Sequence, residues 1–177
     1  MKNVVIISST PRAGGNSEVL ASEFMRGAVD AGNKVEFISL RDYKLNYCIG
    51  CYACKTGKCI YNDGMEELKQ KLISADVIVF ATPVYFYSMC GQLKVFIDRL
   101  VTFYQKIKAD IYLIATQWDD DKEIMNNTFE SIRGLTRDCF SGCEEKGVIY
   151  GVGLKDRGDA LRNKELMNEA YQMGWRV

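Results

Sequence analysis

The chain has 177 residues, 47% of them apolar and 26% charged, and its 23 acidic and 23 basic side chains sum to a formal charge of zero. That length is enough for one domain with a full hydrophobic core, and the balanced charge excludes the basic footprint of a nucleic-acid binder. No histidine is present, which rules out Ser-His-Asp and Cys-His catalysis and any zinc site that needs imidazole.

The first residues, MKNVVIISST, carry one Lys and an apolar run of four. Such a run is too short for a signal-peptide core, and no stretch approaches a membrane span. A cytoplasmic location is therefore expected, and there clustered cysteines favour metal binding or catalysis over structural disulfides. The β-branched run NVVIISS reads as a buried strand, and TPRAGGNS as the loop after it. The next segment, 17–32, reads as a helix capped by Asn16 or Ser17 and stopped by Gly32, with Leu20, Phe24, Ala28 and Ala31 on one face.

KVEFISL is the second predicted strand and DVIVFATP the third, with a cysteine-rich loop and a short helix near Met65–Ile73 between them. A helix near Cys90–Tyr104 follows, then the strand ADIYLIATQ, a helix near Asp121–Phe140, the strand KGVIYGVG and a last helix over about Asp159–Trp175. Near-continuous apolar strands alternating with helices are the pattern of a parallel sheet covered on both faces. The expected fold is α/β: a flavodoxin-like three-layer sandwich whose five-stranded parallel sheet has the order 2-1-3-4-5. Residues 1–177 read as one domain with a cysteine-rich loop at about 43–63. In such a sheet ligands sit beyond the carboxyl ends of the strands.

Three loops lie at that edge. The first joins a strand end to a helix start, where free amides and the helix dipole favour an anion. Ser9, Thr10 and Ser17 offer hydroxyls there, Gly14 and Gly15 allow close approach, and Arg12 adds charge. A phosphate cradle and an ordinary capped turn both fit. The second loop leaves Pro83 for Tyr85, Phe86 and Tyr87, aromatics that suit a planar ring or, more simply, fill core. The third places Trp118 before Asp119–Asp121, a run that reads as a solvated helix start rather than a metal site.

The segments STPRAGGNSEVL, CIGCYACKTGKC with its following NDGMEEL, ADVIVFATPVYF and LKVFIDRL stand in register over residues 3 to about 118. Together they resemble the NADPH-dependent FMN reductase family, in particular its flavodoxin-like branch that includes the iron-sulfur flavoproteins. The resemblance implies an FMN-dependent oxidoreductase with NAD(P)H as co-substrate and a small-molecule or redox-protein acceptor. It implies that Ser9, Thr10, Arg12, Asn16 and Ser17 bind the FMN phosphate. It further implies that Pro83, Val84, Tyr85 and Phe86 flank the isoalloxazine ring, with Thr116, Gln117 and Trp118 on its other edge. No side chain is nominated as catalytic, because the flavin carries the chemistry. A homodimer or homotetramer follows by analogy, with no nucleic-acid or membrane partner. Two departures stand out: Ser9 and Thr10 replace the family's usual Gly-Ser, and Gln117 and Trp118 stand where small residues are usual.

Cys48, Cys51, Cys54 and Cys59 are spaced C-x2-C-x2-C-x4-C. Four thiolates can hold a four-iron four-sulfur cluster, the reading that the resemblance favours, although the last gap is one residue shorter than in that branch. Zinc, a redox-labile Cys51–Cys54 pair beside Lys55 and Lys58, and a loop of free thiols stay open. The loop is expected on the sheet edge where FMN would sit. Cys90, Cys139 and Cys143 read as packing residues. An iron-sulfur electron carrier and a non-enzymatic flavin-binding module remain alternatives to the reductase. A low-molecular-weight tyrosine phosphatase is excluded, because no cysteine has Arg at the spacing its phosphate loop needs.

Overall fold

The computed structural model describes residues 1–177. Five strands pair in parallel: β1 (Asn3–Ser8), β2 (Lys34–Ser39), β3 (Val77–Tyr85), β5 (Asp110–Thr116) and β6 (Glu144–Gly151). Their spatial order is β2-β1-β3-β5-β6. Numbered among the parallel strands alone, this is the expected 2-1-3-4-5 order. A sixth strand, β4 (Ser88–Met89), folds back antiparallel on the end of β3. Parallel neighbours require crossovers, and helices supply them. They are α1 (Asn16–Asp30), α2 (Met65–Ile73), α3 (Gly91–Arg99) and α4 (Asn126–Thr136), while α5 (Asp159–Arg162) and α6 (Lys164–Trp175) follow β6.

Side chains alternate across the sheet with the period of two that strands impose. Val4, Ile6, Val77 and Val79 pack with α1, α5 and α6 on one face. Val5, Ile7, Ile78 and Phe80 pack with α2, α3 and α4 on the other. Both faces of the central strands are therefore buried, and this explains their unbroken apolar runs. Because β2 and β3 flank β1 on opposite sides, the crossovers from β1 and into β3 part on different faces. They leave a crevice at the carboxyl ends of β1 and β3.

The boundaries differ from expectation in four places. Helix α1 is capped by Gly15, and no side chain caps it, because the Asn16 amide is engaged elsewhere. Helix α3 stops at Arg99 and gives way to single 3-10 turns at Leu100–Thr102 and Tyr104–Lys106. Helix α4 starts at Asn126, after a 3-10 turn at Lys122–Met125 whose Glu123 amide donates to the Asp121 side chain. The final helix is broken at Asn163, whose side chain accepts from Leu166 N and restarts the coil as α6. No helix is long and apolar enough to cross a membrane.

Candidate functional site

The crevice contains a cavity of about 240 Å³ at the carboxyl edge of β1, β3, β5 and β6. One wall is the loop from β1 to α1. With Gly15 as a cap lacking a side chain, the amides of the first turn of α1 have no partner in the helix. Ser17 belongs to that turn and lines the cavity, and its Oγ is buried without a hydrogen-bond partner. A Cβ on Gly15 would come within 2.8 Å of Thr10 Oγ1, so only glycine lets the loop close this tightly. Arg12 lines the same wall, joined by Arg157 from the far end of the chain. The Arg157 guanidinium packs over Gly14, which holds a left-handed φ of +67°.

Behind this loop stands Arg41, on the 3-10 turn Leu40–Asp42 that follows β2. Its Nη1 donates to Thr10 O at 3.1 Å and to Arg12 O at 3.2 Å. The guanidinium also forms a two-pronged pair with Glu18, 2.9 Å on each side. Glu18 Oε2 in turn accepts from Gly14 N at 2.9 Å. The hydrogen bonds from Arg41 hold the Glu18 carboxyl below the usual carboxylate range, against the opposing effect of burial.

Pro83, Val84 and Tyr85 form the second wall. Beyond them the chain reverses in a two-residue hairpin, in which Tyr85 pairs with Ser88. The two turn residues, Phe86 and Tyr87, both hold left-handed φ, +47° and +63°. That is the geometry of a type I′ turn, usually given to Asn and Gly. Thr116, Gln117 and Trp118 form the third wall. Gln117 Nε2 donates to Asp121 O at 2.6 Å and Asp119 O at 3.2 Å, which leaves its Oε1 buried and unpartnered. Trp118 is exposed, and Lys155 Nζ lies 4.6 Å from its ring centroid.

Ten of the twelve residues singled out for the cofactor line this cavity, and Ser9 and Phe86 do not. Ser9 is fully buried: its hydroxyl donates to Ala81 O at 2.8 Å and lies 3.2 Å from Cys90 Sγ, so it ties β1 to β3 instead. Phe86 is 99% exposed at the hairpin tip. Asn16 reaches the cavity wall, yet its polar atoms are committed to the chain. Its Nδ2 donates to Asp156 O at 2.9 Å and its Oδ1 accepts from Ala160 N at 3.2 Å. Sequence reading missed Arg41, Leu154, Lys155 and Arg157; the residues after β6 carry no motif, and only the fold brings them to the first loop.

The cysteine loop lies elsewhere than expected. Cys48, Cys51, Cys54 and Cys59 line one predominantly apolar cavity of about 130 Å³, which is also bounded by Arg99, Val101 and Thr102. Arg99 ends α3 and Val101 and Thr102 follow it, whereas Cys90, just before its first turn, touches Ser9 and Thr82 at the sheet edge. Eight steps of 1.5 Å put the two ends of α3 roughly 12 Å apart, so the cysteine cavity lies at the opposite end of that helix from Cys90. The four cysteines share it without converging: no three His, Cys, Asp or Glu side chains are grouped closely enough to hold a metal ion. The loop is closed at its base by a buried pair. Arg99 donates to Asp63 Oδ2 at 2.7 Å and Oδ1 at 3.0 Å, and to Asn46 O at 2.6 Å. The guanidinium also lies beside the Cys59 side chain and 4.9 Å from the Tyr61 ring centroid. Cys139 and Cys143 fall beyond α4, one exposed and one half-buried.

A family model for NADPH-dependent FMN reductases matches residues 2–116. The chain belongs to that family. An iron-sulfur flavoprotein of Methanocaldococcus jannaschii is 43% identical over 97 residues, covering 54% of this chain and 50% of that one. A Bacillus subtilis protein named as an NAD(P)H-dependent FMN-containing oxidoreductase is 27% identical over 180 residues, covering 96% of this chain and 95% of its own. Thus the chain spans about half the length of the iron-sulfur flavoproteins it matches. Among solved structures, an NAD(P)H:quinone oxidoreductase from Methanothermobacter marburgensis superposes with a TM-score of 0.76 at 19% identity, covering 99% of this chain and 95% of that one. A flavone reductase does so at 0.76 and 18%, covering 99% and 61%. At these identities the likenesses show the fold, a parallel sheet of flavodoxin-like order flanked by helices.

Proposed function

We propose that the crevice binds FMN and that the protein oxidises NAD(P)H, passing the electrons to a small acceptor such as a flavin or a quinone. The observation that carries this reading is the uncapped start of α1. A buried, unpartnered Ser17 hydroxyl, Thr10, Arg12 and Arg157 stand around free helix amides there, a donor set that fits a phosphate dianion. Pro83–Tyr85 and Thr116–Trp118 then offer two facing walls for a planar ring, with the unpartnered Gln117 Oε1 as an acceptor for a ring N–H.

When bound, FMN would accept a hydride and release electrons one or two at a time. This chain's side chains orient that ring, neutralise its phosphate and leave the Trp118 side open to a second molecule. No acid or base among them is needed, which accords with the absence of histidine. Residues 1–177 are read as one flavin-binding domain of a cytoplasmic homo-oligomer, with the cysteine loop inserted between β2 and α2.

Titration with FMN, followed by flavin fluorescence, and anaerobic mixing of the loaded protein with NADH or NADPH test this. Tight binding and rapid loss of the oxidised flavin absorbance are expected. Absence of flavin binding would overturn the reading, and binding without reduction would leave a non-enzymatic flavin module.

A second reading is favoured by one observation: all four loop cysteines line one apolar cavity. In it the loop carries an iron-sulfur cluster and the protein is an electron carrier. As they stand the sulfurs do not form a ligand set, so no step is assigned to such a centre. Iron and sulfide counted per chain after anaerobic purification decide between this reading and free thiols.

A further inference from the structure

Glu18 presents a problem for an anion site. It is a carboxylate in the first turn of α1, one residue after Ser17 and bonded to the Gly14 amide of the very loop that would wrap a phosphate. Left alone, it would repel a dianion there and cancel the positive end of the helix. Arg41 answers this from outside the loop. One edge of its guanidinium is spent on both Glu18 oxygens, and its Nη1 also reaches the carbonyls of Thr10 and Arg12. Those carbonyls are the loop's own negative ends. Arg41 engages both of them, and Arg12 O also accepts from Gly15 N at 3.0 Å. The Arg41–Glu18 pair is only partly exposed, 25% and 17% at the side chains, so solvent screens it less than a surface pair.

We propose that Arg41 is a positioning residue of the phosphate loop. It neutralises Glu18 and holds the Thr10 and Arg12 carbonyls back, so that the first-turn amides and Arg12 meet the phosphate of a flavin mononucleotide. This rests on the reading of the crevice as an FMN site. Arg41 touches no part of the ligand; it acts through the loop. Its effect must therefore fall on the phosphate and leave the ring contacts alone.

The test compares FMN with riboflavin, which has the same ring and no phosphate. Dissociation constants for both are measured on the full chain as wild type, Arg41→Gln, Arg41→Lys and the double variant Glu18→Gln/Arg41→Gln. In Arg41→Gln the FMN constant should rise roughly tenfold or more, the loss of one charge-assisted contact, with riboflavin changed by less than about threefold. The double variant removes the repelling carboxylate together with its partner and should recover most of the FMN affinity. Arg41→Lys, which keeps the charge and loses the fork, should fall between. Wild type that binds neither flavin refutes the site itself. Wild type that binds FMN, with Arg41→Gln weakening FMN and riboflavin equally or not at all, refutes the role of Arg41 alone. A double variant no better than Arg41→Gln refutes neutralisation of Glu18. If Arg41→Gln does not fold, the FMN-to-riboflavin ratio in Arg41→Lys and the double variant still decides.

Discussion

Gly27 of α1 and Gly174 of α6 meet where the two helices cross, each set against the other helix's backbone. A methyl group on Gly27 would overlap the Tyr171 carbonyl, and one on Gly174 the Phe24 carbonyl. Neither obstacle is a side chain that could swing aside, so the helices would have to part. Gly27→Ala or Gly174→Ala is expected to cost about 2–3 kcal/mol or more. Thermal unfolding should show the midpoint falling by roughly 5–10 °C. An unchanged midpoint would mean that the helices are not so closely packed.

The cations of the crevice are separable. Arg12→Gln and Arg157→Gln should each raise the FMN dissociation constant roughly tenfold, as expected for one charge-assisted contact to a phosphate. Riboflavin should not distinguish the variants from wild type. The Arg157 variant is the more informative, because nothing in the first loop's sequence points to it. Equal FMN affinity in that variant would remove Arg157 from the site.

The pair at the base of the cysteine loop has a clear acid signature. Burial raises the Asp63 carboxyl, but hydrogen bonds from Arg99 and from Asn46 outweigh it and bring the pKa down to about 2, from 3.8. A carboxyl held lower in the folded state stabilises that state above its unfolded pKa. The contribution is lost as pH falls through the folded value, here between about pH 4 and pH 2. The shift corresponds to about 2 kcal/mol. Asp63→Asn should cost more, about 3–5 kcal/mol, because it leaves Arg99 buried without its counter-charge. Urea unfolding across that pH range should show the acid-dependent loss in wild type and its absence in Asp63→Asn.

The hairpin tip carries backbone strain that its side chains do not offset. Phe86 is almost wholly exposed and Tyr87 largely so, and both hold left-handed φ. The double substitution Phe86→Asn/Tyr87→Gly installs the pair that a type I′ turn favours. It should stabilise the chain by roughly 1–2 kcal/mol, read as a higher unfolding midpoint. If the two aromatics serve acceptor or subunit contacts instead, steady-state rates or oligomer mass will change in the same variant.

The strands were legible because burial on both faces writes an unbroken apolar run, as in Val77–Ala81. Helix α2 was legible to the residue, over Met65–Ile73. Strand β4 was not: Phe86–Tyr87 is not a turn pair that propensity selects, and the hairpin exists because the sheet edge imposes it. In the first loop, local chemistry pointed to Thr10, Arg12 and Ser17, which line the crevice. It could not reveal that Ser9 turns inward to Ala81 or that Asn16 is held by residues about 140 positions away, since those partners are set by topology. The cysteine loop was misplaced for a related reason. Its neighbours in sequence lead off from the upper edge, while the Arg99–Asp63 pair draws it down along α3.

The clasp between Asn16 and the segment 154–160 has a bearing on synthesis. The residues that build the first wall leave the ribosome well before those that complete it. Until β6 has joined the sheet edge, Arg157 has no place above Gly14 and the crevice lacks one side. The crevice is thus complete only in chains translated past Arg157, some 140 positions after the first loop.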